Sequence, residues 1–108
     1  MQRELVRERL SFIEQCIDDA ALACRETGYA PEELKAWVRE LDRRWAEVEA
    51  AAGHPLDATS LRACLETLEE IGDRAVEACR EQRHIDPQLR MAVHTARQEI
   101  AALRRQLH

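Results

Sequence analysis

Apolar residues recur along this chain at alternating intervals of four and three, the 3.5-residue period that keeps one edge of a helix turned toward its neighbours. One stripe runs Val6, Leu10, Ile13, Ile17, Ala20, Cys24, and a second Leu34, Val38, Leu41, Trp45, Val48, Ala52. A third is Leu61, Leu65, Leu68, Gly72, Ala75, Cys79, and a fourth Leu89, Val93, Ala96, Ile100, Leu103, Leu107. The stripes have equal length and predict four helices, packed with the shallow crossings of about 20° that this period favours.

The residues between the stripes are helix punctuation. Gly28 fits a left-handed residue after the first helix, and Pro31 fits the first turn of the second, where a missing N–H costs nothing. Gly53, His54 and Pro55 end the second helix. Asp57 is a natural N-cap for the third, with Leu56 and Leu61 spaced as a hydrophobic staple. Asp86 and Pro87 open the fourth. Connections this short favour antiparallel neighbours, so the expected fold is an all-α, up-down-up-down four-helix bundle. It forms one domain over residues 1–108, with helical hairpins at about 2–53 and 57–107.

The second pair of stripes is the first displaced by 55 residues, so that Leu10 falls on Leu65, Cys24 on Cys79 and Leu34 on Leu89. The tetrapeptide "ACRE" occurs in both halves, as expected of a duplicated hairpin, although a shared heptad phase alone produces some such matches. Antiparallel stacking places Ile13, Trp45, Leu68 and Ile100 in one layer and Ile17, Leu41, Gly72 and Ala96 in the next. The indole of Trp45 is then expected to fill the space beside Gly72 and Ala96.

Composition narrows the function classes. In 108 residues, 34% are charged and 45% apolar, with three glycines and three prolines, which suits a folded helical chain rather than a disordered one. The formal net charge of −5 argues against phosphate-backbone binding as the main task, since that needs a concentrated basic face. Charges interrupt the opening "MQRELVRERL" where a signal core would be apolar, and no apolar run approaches the ~18 residues of a membrane span. A cytoplasmic protein is expected, with thiols rather than disulfides. Fifteen arginines against the single Lys35 suggest a GC-rich, bacterial source.

The four cysteines are expected to be small core residues. The alternative is a soft-metal or redox site, such as one for Cu(I), using Cys24 and Cys79 with Cys16. The chain lacks Cys-x-x-Cys spacing and the many thiols that line copper-storing bundles, so no cofactor is expected. His94 is the one histidine inside a helix and faces away from the seam. Histidine phosphotransfer domains present a helical histidine in this manner, followed by a lysine at the third place and a glycine at the fourth. Here those places hold Arg97 and Gln98, and phosphotransfer is the weakest of three readings.

Adjacent carboxylates such as Asp18 with Asp19 do not face each other on a helix, and no nucleophile has an evident base. Catalysis is not expected. A second apolar stripe on the first helix, Leu5, Phe12, Cys16 and Ala23, lies about 100° from the main seam. All four aromatic residues, Phe12, Tyr29, Trp37 and Trp45, belong to the first hairpin. The expected function is therefore a protein-interaction or assembly module whose surface is edged by Leu5, Phe12, Cys16 and Trp37, binding a partner's amphipathic helix or a second copy as a homo-oligomer. No nucleic-acid or membrane partner is expected.

Overall fold

The computed structural model describes residues 3–27, 30–53, 55–82 and 84–107. Four helices account for nearly all of them: α1 (Arg3–Glu26), α2 (Glu32–Ala51), α3 (Ala58–Arg80) and α4 (Pro87–Gln106), with no strand among the described residues. Their ends follow from local chemistry. Asp57 accepts a hydrogen bond from the Ser60 backbone N–H at 3.0 Å, and Asp86 accepts one from Leu89 N–H at 3.1 Å. Each thereby satisfies an amide that the first helical turn leaves without a partner. Leu56 packs on the cluster that buries Leu61, as the staple predicts. Pro31 stands one place earlier than expected, at the N-cap of α2, where no side chain caps the helix. Glu32 and Glu33 instead place negative charge at its dipole-positive end. Gly28, Tyr29, His54 and His108 lie outside the described residues.

Cross-helix contacts fix the topology. Glu14 of α1 meets Trp45 of α2, and Asp18 lies near Asp42. Cys64 of α3 meets Glu47 of α2, while α4 pairs Arg97 with Asp73 and Arg104 with Glu69. In each case a later residue of one helix meets an earlier residue of its neighbour, so successive helices run antiparallel. The close pairs are α1 with α4, α3 with α4 and α2 with α3, and α1 meets α2 more loosely. The helices therefore stand in a ring in chain order, 42 Å long and 20 by 18 Å across.

The heptad stripes form the core. Twenty-two of their twenty-four positions are buried, and only Cys24 and Ala52, at the ends of α1 and α2, are half-buried. The Glu14–Trp45 and Asp73–Arg97 contacts lie within one residue of the expected layers. What fills the space at Gly72 differs from expectation. The nearest side chain to a Cβ built there is Arg97, with Cγ at 3.1 Å. The Trp45 indole N–H instead donates to Glu14 Oε2 at 2.8 Å, an indole donor needing an acceptor when buried. The arginine stem of α4 thus covers the glycine.

Acidic side chains gather along the α1–α2 seam. Glu14 and Asp18 face Asp42 and Glu49 across this seam. Burial and then Glu14 raise the carboxyl of Glu49, and burial, Glu14 and Asp42 raise that of Asp18.

Candidate functional site

Two opposite sides of the ring carry the residues that the sequence singled out. The α1–α4 side holds a groove lined by Cys16, Asp19, Leu22 and Ala23 of α1 and by Met91 and Thr95 of α4, with a volume of about 730 Å³. Phe12 precedes Cys16 by one helical turn and Leu5 by two more, which extends the same edge of α1. Leu5 is 43% exposed and Phe12 47%. Cys16 forms the floor at 7%. Trp37 does not join them. It is half-buried, packs on both core clusters, and lines the α2–α3 cleft on the other side with Ile71 and Arg74. The four residues therefore do not edge one surface, because the ring order separates α1–α4 from α2–α3.

Two residues that sequence reasoning passed over complete the groove. Leu22 is 46% exposed and Met91 70%; both fall outside the heptad stripes and look like isolated surface residues in the sequence. Folding brings them to the two walls of one groove. With Leu5 and Phe12 they are the exposed large apolar side chains among the described residues, and all belong to α1 or α4. Acidic groups border them. Asp19, Glu26 and Asp86 line the groove without any arginine or lysine. Burial, Asp19 and Glu99 together push the Cys16 thiol up.

The cysteines are all free thiols. Cys24 packs against the cluster that contains Cys79, close enough for its charge to act there, whereas Cys16 belongs to the other cluster. Burial is the largest cause raising every one of them, against partial opposition at Cys24 from Lys35 and Arg39 and at Cys79 from Arg90. Raised thiols are poor nucleophiles and must lose a proton to bind metal. Among the described residues no three His, Cys, Asp or Glu side chains converge as a metal-binding group.

His94 is half-buried beside Arg80 and Arg90 in a cleft between α3 and α4. Burial first, then the two guanidinium groups, lower its pKa from the ordinary value, so the ring is neutral at pH 7. No described helix is long and apolar enough to cross a membrane. Comparison with protein-family models, curated proteins and solved structures finds no match to the chain.

Proposed function

We propose that this bundle is a non-catalytic interaction module that binds a helical segment of another protein along its α1–α4 face. The single observation that carries this reading is that the exposed large apolar side chains among the described residues, Leu5, Phe12, Leu22 and Met91, all belong to the neighbouring helices α1 and α4. Exposed apolar side chains on adjoining helices, two of them lining a concave groove, are a form that takes the apolar edge of an amphipathic helix. The edge from Leu5 to Leu22 is roughly 26 Å of helix, enough for a partner segment of four to five turns.

Charge selects the occupant. The groove carries Asp19, Glu26 and Asp86 and no cation. At the end of the face that carries Asp19 and Glu26, a second copy would bring acidic borders together, whereas a partner helix with lysine or arginine there complements them. The partner is therefore a basic amphipathic helix, and self-association is the competing outcome.

The test uses two synthetic helical peptides with identical leucine anchors, one flanked by lysines and one by glutamates, titrated against the protein by fluorescence anisotropy. Binding of the lysine peptide at least about tenfold tighter than the glutamate peptide is expected, with loss of that binding in Phe12→Ser/Met91→Ser. Equal affinities, or binding unaffected by the double substitution, refute the reading. Sedimentation of the protein alone as a concentration-dependent dimer that the same double substitution abolishes assigns the face to self-association instead.

A further inference from the structure

The cleft around His94 has a different chemistry from the rest of the surface. Its walls are Arg80 of α3, Arg90, His94 and Thr95 of α4, and the carbon surfaces of Ile85, Pro87 and Met91. No carboxylate lines it, in a chain whose formal net charge is −5. The α1–α4 groove, the α2–α3 cleft and the α1–α2 cleft each contain at least two carboxylates.

Some arginines of the same helix pair are ion-paired, whereas among the described residues Arg74 and Arg105, like Arg80 and Arg90, are not. Arg97 meets Asp73 at 2.7 Å, and Arg104 meets Glu69. Arg80 and Arg90 meet no carboxylate within 4.0 Å among the described residues. Two guanidinium groups thus lie beside an imidazole in a cleft lined by no carboxylate, next to the carbon surfaces of Ile85, Pro87 and Met91. That arrangement costs free energy through like-charge repulsion, and an anion that bridges the guanidinium groups removes the cost.

We infer that this cleft binds a small organic anion with an apolar body, its carboxylate or phosphate held by Arg80 and Arg90 and its carbon frame by Ile85, Pro87 and Met91. The volume, about 580 Å³, suits a ligand of one or two rings. Two cations in an acidic chain are too few to hold a polyanion, which limits the class to small molecules. His94 contributes a ring N–H donor at neutral pH. Its protonation is coupled to occupancy, because an anion between the arginines offsets the charges that Arg80 and Arg90 exert on the ring.

The experiment titrates the intact protein with benzoate, phenyl phosphate, inorganic phosphate and benzyl alcohol, read by calorimetry and by NMR of the His94 ring. Benzoate or phenyl phosphate should bind at least about tenfold tighter than both inorganic phosphate and benzyl alcohol, and should raise the His94 midpoint by roughly one pH unit. Comparison of the two aromatic anions tells carboxylate from phosphate as the preferred head group. Arg80→Gln/Arg90→Gln, which changes only surface or half-buried side chains, should lose both effects, and Arg62→Gln should lose neither. Inorganic phosphate binding as well as phenyl phosphate, an unmoved His94 midpoint, or equal binding by the double variant each overturns the proposal.

Discussion

Replacement of Gly72 tests how α3 meets α4. A Cβ here would stand 3.1 Å from Arg97 Cγ and 3.3 Å from Arg97 Cβ, closer than packed carbon atoms normally lie. Arg97 cannot retreat freely, since its Nε donates to Asp73 Oδ1 at 2.7 Å across the same helix pair. Three contributions set the outcome for Gly72→Leu. Helix propensity favours leucine by about 0.8 kcal/mol. Overpacking opposes it by about 1–3 kcal/mol, and displacement of the half-exposed Arg97–Asp73 pair adds at most about 1 kcal/mol. The net loss is roughly 0.2–3 kcal/mol, a fall in melting temperature of about 1–12 °C for a domain of this size. Thermal unfolding followed by circular dichroism measures it. The same substitution in an Arg97→Ala background should cost less than half as much, because the Cγ contact and the ion pair are already absent. An equal cost in both backgrounds refutes the packing.

Two further predictions concern the α1–α2 seam. Trp45→Phe keeps one six-membered ring but removes the buried five-membered ring with the N–H that donates to Glu14, and should cost about 1–2 kcal/mol in urea unfolding; no measurable loss would show that the bond contributes nothing. Asp18 and Glu49 have folded-state pKa values raised above their ordinary 3.8 and 4.5. Stability from such groups is fully present below the unfolded value and is lost as pH rises through the raised folded value, so their contribution to melting temperature should fall as pH rises from about 4. His94 acts oppositely, since a lowered value means that its protonation opposes folding. The trend should therefore be clearest in His94→Gln, and Glu14→Gln in that background should flatten it. A fall of unchanged slope in the double variant would remove the seam as its cause.

The fold was legible because burial and the heptad phase report the same thing. Val6 through Ala20 of the first stripe, and all of the third and fourth, are buried, as a continuous 3.5-residue seam requires. Cys24 and Ala52 depart from it because helix ends lack a neighbour on one side. Flanking positions were less legible. Heptads define which edge turns inward but not how far each helix rotates, so Trp37 was grouped with Phe12 although they line opposite sides. Leu22 and Met91 are 69 positions apart and off both stripes, and only the adjacency of α1 and α4 joins them. Arg90 and His94 do have a one-turn spacing that marks a shared face. Arg80 comes from another helix, and no local pattern announces it.

The role assigned to the α1–α4 face is tested most directly by mapping, residue by residue, where a lysine-flanked amphipathic peptide touches the protein. Amide chemical-shift changes on titration should concentrate at Leu5, Phe12, Asp19, Leu22, Glu26 and Met91, leaving the α2–α3 cleft around Trp37, Ile71 and Arg74 unmoved. Changes centred on the α2–α3 cleft, or none at saturating peptide, would contradict the account.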